Sequence, residues 1–340
     1  MGLADPETAN GNKRQRVTPR RRPFDGACGG LPAGGGEPTL GGPAPRASLD
    51  VALVRRLLAS QFPHWADLPA QPVPSAGANN AIFRLGPHMA VRLPRLSCAV
   101  AQLEKEQRWL PWLAPRLPLA VPVLLAKGEP AADYPWPWSV CRWLDGEPAI
   151  AVPVTDLSAA AATPGAFVAA LQGVPSVDGP AAGSATGGRG LPLAVLDAQV
   201  HAAIGVLGGT LDAGVLAAAW GARLQAPGWR GAPVWFHGDL HAENLLVEHG
   251  RLCAVIDFGL TGVGDPACDL SVAGSVFSAA ARGVFRRLVG ADDATWARGR
   301  GWALALAVIA LAHYRHRGDR LASVSRRTVG EVLVDHARES

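Results

Sequence analysis

Residues 235–259 read WFHGDLHAENLLVEHGRLCAVIDFG, and the reading of this stretch decides the fold. His237 and Asp239 are two residues apart, Asn244 follows in the same loop, and Asp257-Phe258-Gly259 comes thirteen residues after Asn244. LLV and LCAVIDF read as paired strands that set Asn244 and Asp257 on either side of one metal cluster. Asp239 can accept a proton, while Asn244 and Asp257 offer the hard oxygen donors that suit a small cation such as Mg²⁺. Taken singly, Asp239 and Asn244 could be turn or cap residues and His237 a hydrogen-bonded scaffold residue. Six positions agreeing in type, order and spacing turn that balance toward chemistry. For His237 the scaffold reading stands, because the proton acceptor is Asp239. His241 ordinarily caps or packs; contact with substrate or nucleotide is its alternative.

H-x-D-x-x-x-x-N followed by D-F-G is the spacing of a kinase catalytic loop and its metal-binding turn. HGDLHAEN together with AVIDFGLTGVGDPACDL resembles the signature of the aminoglycoside phosphotransferase family, small-molecule kinases sharing the protein-kinase-like fold. The resemblance runs from about residue 50 to near 335. Its more specific half is Gly264-Asp265-Pro266 with Asp269, an ending that protein kinases lack, which points to a small acceptor. The resemblance implies an α+β, two-lobed fold: an N-terminal antiparallel sheet lobe with one main helix, and a larger, mostly helical C-terminal lobe. It also implies Asp239 as catalytic base, Asn244 and Asp257 as Mg²⁺ ligands, and His237 and Asp269 as supports of the loop. ATP or GTP is the implied phosphoryl donor and a small-molecule hydroxyl the implied acceptor; a catalytically silent nucleotide-binding protein is the alternative.

Upstream, SAGANNAIFRLG resembles the family's phosphate-covering loop, with Gly77, Asn79 and Asn80 near the phosphates. The strand lysine that usually grips the phosphates is absent: the chain has three lysines, Lys13, Lys105 and Lys127, and Arg92 in AVRLPR stands at that position. Arginine keeps the charge and can hold phosphate oxygens bidentately. Its expected partner is Glu106, which shares a helix face with Leu103 and Leu110, whereas Glu104 points away. The nucleotide is expected under residues 77–86, near the linker 142–145. Glu147, Asp292, Asp293, Glu331 and Asp335 are candidates to line a pocket for a cationic acceptor, against the plain reading of solvated surface. Gly274 stands where relatives often carry a large aromatic, and residues 150–190 fall where relatives place a substrate-contacting insertion.

Further outward, the pattern divides the chain into three parts. Residues 1–46 are rich in Gly, Pro and Arg with little apolar periodicity, so they read as a disordered basic tail. Residues 47–144 read as the nucleotide-binding lobe and 145–340 as the catalytic and acceptor lobe, divided at the Asp145-Gly146-Glu147-Pro148 break. LDVALVRRLLASQF reads as an amphipathic helix, and AIFRLG and MAVRLPR as a hairpin turning at Gly86-Pro87. VAQLEKEQRWL reads as a helix stopping near Pro111; VPVLLAKG and WSVCRWL read as strands. Within 150–192 a short helix is expected at 167–171 and a flexible stretch at 179–190. Helices follow around 193–225, 270–290 and 294–316.

The 340 residues are 49% hydrophobic and 18% charged, which excludes a disordered chain. The five cysteines form no C-x-x-C pair, so neither a zinc ribbon nor a thioredoxin-type redox site is indicated, and a reducing cytoplasm fits. The start lacks the apolar run of a signal peptide, and Trp302–Ala312 is too short to span a membrane. Of the excess positive charge, seven Lys/Arg against four Asp/Glu fall in residues 1–46. The remainder is nearly neutral, and the one basic cluster, Lys13 to Arg22, lies in the tail, which argues against a nucleic-acid partner. Gly262-x-Gly264-x-x-Ala267 resembles a dinucleotide turn only superficially, since Asp265 would face the pyrophosphate. No P-loop or G-x-S-x-G motif occurs, and His237, His241 and Cys253 match no zinc spacing.

Overall fold

The computed structural model describes residues 48–74, 79–131, 133–152, 154, 157–314 and 320–339. Gly77 and the tail 1–46 lie outside these. Helix α1, Val51–Gln61, begins where Asp50 accepts a hydrogen bond from the Leu53 N–H at 2.9 Å. Its buried stripe, Leu53, Val54, Leu57 and Leu58, covers one face of the first sheet. Each such side chain contributes about 1.5–3 kcal/mol relative to exposure.

That sheet is built from β1 (Ala70–Pro72), β2 (Asn80–Leu85), β3 (Met89–Pro94), β4 (Leu124–Gly128) and β5 (Trp138–Arg142). All neighbours are antiparallel, in the order β1-β2-β3-β5-β4. Phe83, Leu85, Val91, Leu93, Trp138 and Val140 alternate onto the face beneath α1, as the period of two dictates. Arg92 points to the opposite face, paired across the sheet with Ile82 and Ser139.

Helix α2, Ser97–Leu113, lies on that second face and packs against the turn at Phe258–Leu260. It passes through Pro111 instead of stopping there. Pro111 sits at an exposed position in the last turns, so the missing N–H frees only the Gln107 carbonyl on the outer side, and the Ala114 N–H closes the end on Leu110.

The second lobe starts with β6 (Glu147–Pro148) and α3 (Leu157–Gln172). The helix is far longer than the expected 167–171. Its Ala-rich sequence favours helix, and packing against the later helix α7 (Ala279–Val289) carries it across Pro164-Gly165, where Gly165 lies against Leu288. Next come α4 (Asp197–Leu207), α5 (Ala213–Leu224), β7 (Val234–Phe236), β8 (Leu245–Glu248), β9 (Arg251–Val255) and β10 (Gly262–Gly264). Helix α6 (Val272–Val276) precedes α7, and α8 (Asp293–Tyr314) and α9 (Arg320–Glu339) close the chain. Two small antiparallel sheets, β6-β8-β9 and β10-β7, carry the loops described below.

Helix α8 is apolar around most of its circumference and is the core of this lobe: Trp302, Leu304, Ala305, Val308 and Leu311 are buried among α4, α5 and α9. It is the buried helix expected from the apolar run at 302–312. Among the described residues no helix is long and apolar enough to cross a membrane.

The stretch 179–190 is not loose. It runs beside β10, with reciprocal backbone bonds between Pro180–Ala182 and Val263 and a bond from the Asp265 N–H to the Gly190 carbonyl.

Candidate active site

The β8–β9 hairpin turns at His249-Gly250, both at positive φ (50° and 74°), the backbone that a two-residue primed turn needs. Asn244 therefore precedes β8 directly opposite Ile256, whose N–H bonds the Asn244 carbonyl at 2.9 Å. Asp257 follows at φ 63°, ψ 69°, a left-handed conformation rare for a residue with a side chain, and its carboxylate is exposed. Desolvation of the carboxyl by the surrounding protein, then the like charge of Glu106, push the Asp257 pKa above its ordinary value, an effect tempered by that exposure.

The loop between β7 and β8 is held from beneath by Asp269, which is fully buried. Its two oxygens accept the backbone N–H groups of His237 (2.6 Å) and Gly238 (2.8 Å). Burial raises its pKa to about 6, against the two N–H bonds that favour the charged form. The buried His237 ring is pinned at both nitrogens: Nδ1 accepts the Asp239 N–H at 3.1 Å, so Nε2 carries the proton and donates to the Ile256 carbonyl at 3.1 Å. Burial lowers its pKa to about 4, which keeps the ring neutral.

Asp239 stands at the mouth of this loop with 25% of its side chain exposed. Burial opposes its charge, but His241 first and then Arg189 outweigh that and bring the pKa down to about 2. The Glu243 N–H donates to His241 Nδ1 at 3.3 Å, so the neutral ring bears its proton on Nε2, which faces Asp239 Oδ2 at 3.4 Å. Asn244 Nδ2 donates to the Asp239 carbonyl at 2.9 Å and lies 3.2 Å from Oδ2. This orients the amide so that Oδ1, the possible metal donor, is the end not used by Asp239.

Across the cleft, Arg92 Nη1 donates to Glu106 Oε2 at 2.6 Å, with side-chain exposures of 13% and 3%. Glu104 is exposed. Burial works against the Arg92 charge, yet Glu106 with Cys141 and Asp257 more than offset it and raise the pKa above its ordinary value. Glu106 Oε1 and Asn80 Oδ1 are buried without a hydrogen-bond partner among the described residues. Asn79 Nδ2 donates to Gln102 on α2 at 3.2 Å, tying the loop before β2 to the helix that carries Glu106.

The structure thus brings Asp239, Asn244, Asp257, His237 and Asp269 into one loop cluster, and places Arg92, Glu106, Asn79 and Asn80 together on the first lobe. Four of the five carboxylates considered for a cationic acceptor are engaged elsewhere. Glu331 and Asp335 lie 2.9 and 3.6 Å from Arg282, Asp293 pairs with Arg286, and Asp292 caps α8 through the Thr295 N–H. Glu147 sits beside Gly146, Val152 and the 247–250 turn, at a hollow of about 370 Å³.

Sequence reasoning missed two arginines. Arg298 on α8 grips Asp265 through two bonds of 2.8 and 3.1 Å, with both side chains buried. Arg189, 4% exposed, donates to the Gly238 carbonyl at 2.8 Å and stands 4.0 Å from Asp239 Oδ1. Neither lies in a charge pattern; the one signal for Arg189 is an arginine set among glycines.

The family model for the phosphotransferase enzyme family matches residues 70–302. No curated protein sequence matches the chain. Among solved structures, the GDP complex of wild-type aminoglycoside 2′-phosphotransferase-IIIa superposes with a TM-score of 0.62 at 17% identity, covering 84% of this chain and 99% of that one. Macrolide 2′-phosphotransferase MphH from Brachybacterium faecium, the apoenzyme, gives 0.57 at 21% identity, covering 83% and 97%. The streptomycin–ATP–APH(2″)-IIa ternary complex gives 0.53 at 16%, covering 81% and 94%. At these identities the likeness is one of fold.

Proposed function

The chain belongs to the phosphotransferase enzyme family, and from that membership we propose that it moves the γ-phosphoryl group of ATP or GTP to a hydroxyl of a small molecule, with Asp239 as the base. The observation that carries this reading is the catalytic-loop geometry. Asp239 is ionised, partly open, and held by Asn244 and His241 on a backbone locked from below by Asp269. On this reading residues 47–144 form the nucleotide-binding lobe and 145–340 the catalytic and acceptor-binding lobe.

The donor set suits Mg²⁺. Among the described residues no group of three or more His, Cys, Asp or Glu forms a protein cage. One carboxylate, Asp257, and one amide oxygen, Asn244 Oδ1, are what Mg²⁺ uses when phosphates and water complete its shell. Held by Asp257 and Asn244, Mg²⁺ would supply positive charge to offset that of the phosphates. Arg92, steadied by Glu106, holds the phosphates nearest the first lobe, and Asn79 and Asn80 cover them. Asp239 takes the acceptor's proton as its oxygen reaches phosphorus. His241 and Arg189 hold the Asp239 carboxyl below its ordinary pKa, so it stands ready as the carboxylate.

Related structures hold GDP in one case and ATP with streptomycin in another, and a macrolide enzyme shares the fold. These support a nucleotide donor and keep aminoglycosides, macrolides and related hydroxylated metabolites as acceptor candidates. The test is mass spectrometry of products after incubation with Mg²⁺, ATP or GTP, and a panel of aminoglycosides, macrolides, choline, homoserine and sugars. A phosphorylated product supports the reading. Nucleotide-dependent thermal stabilisation without product across the panel would favour a silent nucleotide binder, and no nucleotide binding at all would refute both.

A further inference from the structure

Residues 183–190, GSATGGRG, form a closed loop built to deliver one buried guanidinium. Gly187, Gly188 and Gly190 stand at φ 60°, 79° and 76°, and a Cβ on Gly190 would lie 2.2 Å from the Phe236 ring. Thr186, fully buried, closes the loop: its hydroxyl donates to the Arg189 carbonyl at 2.8 Å and accepts the Gly183 N–H at 3.0 Å. Arg189 then turns inward, buried, with its guanidinium 5.6 Å from the centre of the Trp302 ring. An apolar side chain would satisfy such packing, so packing does not explain the charge. Burying a guanidinium is costly unless it is paired and hydrogen-bonded. Its partners are the Gly238 carbonyl (2.8 Å), the Gly187 carbonyl (3.4 Å) and the Asp239 carboxylate (4.0 Å).

Gly238 shows why such a lock is needed. It stands at φ 87°, and a Cβ there would lie 2.6 Å from the Leu260 carbonyl oxygen, so glycine is obligatory at the residue just before Asp239. Glycine is also the residue whose backbone turns most freely. Asp269 holds the N–H of Gly238 and Arg189 holds its carbonyl, fixing the residue at both ends.

We propose that Arg189 is a positioning residue for phosphoryl transfer: by gripping the Gly238 carbonyl and facing Asp239, it fixes the direction in which the Asp239 carboxylate meets the acceptor hydroxyl. This rests on the reading of Asp239 as the base. Arg189→Met keeps length and apolar packing but removes the charge and its donors, and Arg189→Lys keeps the charge without the planar fork. The full-length protein and both variants are assayed for phosphate release from Mg·ATP and Mg·GTP with water as acceptor, for nucleotide-induced thermal shift, and for hydrogen exchange at residues 237–241. For Arg189→Met, kcat falls about 10²-fold while the nucleotide KM stays close to wild type, the signature of misplaced geometry. Exchange at 237–241 rises while α8 keeps its protection, and Arg189→Lys is intermediate. Unchanged exchange at 237–241 together with unchanged kcat in Arg189→Met overturns the proposal. So does a uniform loss of protection through α8 that tracks a lowered melting temperature, since that is a purely structural role. Asp239→Asn is run alongside: if it turns over like wild type, the base assignment fails, whereas an inactive Asp239→Asn with a fully active, fully protected Arg189→Met sinks the Arg189 inference alone.

Discussion

Glu106→Leu tests the substitution of arginine for the usual strand lysine. Arg92 and Glu106 are bonded at 2.6 Å and are 13% and 3% exposed, so the change strands a nearly buried guanidinium. Removing one partner of a buried pair costs about 3–5 kcal/mol, and the opening of Arg92 to the cleft places the loss near the lower end, about 3 kcal/mol. At about 2–4 °C per kcal/mol for large domains, the melting temperature of the nucleotide-free protein drops by about 6–12 °C. Nucleotide phosphates supply a replacement counter-charge, so saturating Mg·ATP recovers part of the loss. The double variant Arg92→Met/Glu106→Leu replaces both charges with apolar groups of similar size and returns to within about 1–2 kcal/mol of wild type, yet binds nucleotide weakly. Scanning calorimetry of wild type and both variants, with and without nucleotide, reads all six states. A Glu106→Leu protein that melts with wild type and binds nucleotide as well would refute the idea that this pair grips phosphate.

Three further outcomes follow from single residues. Asp269 has a folded-state pKa of about 6 against an ordinary 3.8, so between those values the native state holds the extra proton and this group's contribution to stability falls as pH rises through 6. Activity rises over the same window, because only the carboxylate accepts both loop N–H groups fully. Asp269→Asn removes the titration and sets an amide N–H against a backbone N–H, a cost of about 1–3 kcal/mol with loss of turnover, seen in paired pH–stability and pH–rate curves. Gly238→Ala forces a Cβ toward the Leu260 carbonyl at positive φ and is expected to abolish product formation while lowering stability by about 1–3 kcal/mol, measured by denaturant titration. Asp292→Ala removes the cap on Thr295 and costs about 1 kcal/mol by the same titration, with kcat unchanged if its one role is to cap α8.

The site core was legible because its residues sit at fixed spacings on one hairpin: once β8 and β9 pair, Asn244 and Asp257 must flank the same point, and the loop carrying Asp239 is too short to wander. Glu106 was legible for a similar local reason, the helix period that turns it inward with Leu103 and turns Glu104 out. What escaped was set by tertiary contact. The length of α3 depends on α7, helix α9 depends on the groove of α6 and α8, and the passage of α2 through Pro111 depends on which side of the helix faces water. Residues 179–190 look flexible in composition because their glycines permit many conformations; it is β10 and the catalytic loop, far away in sequence, that select one. The acidic candidates show the reverse. As isolated charges they suggested a pocket, but the arginines of α7 claim three of them.

The central claim is that Asp239 takes the acceptor proton during transfer of the γ-phosphoryl group, and a single-turnover comparison of wild type with Asp239→Asn tests it most directly. Each protein is loaded with Mg²⁺ and γ-labelled nucleotide, mixed with the acceptor found by product screening, and quenched over time. Asp239→Asn binds nucleotide with wild-type affinity but transfers label about 10²–10⁴-fold more slowly, the range for loss of a general base. Transfer at the wild-type rate in Asp239→Asn would contradict the account.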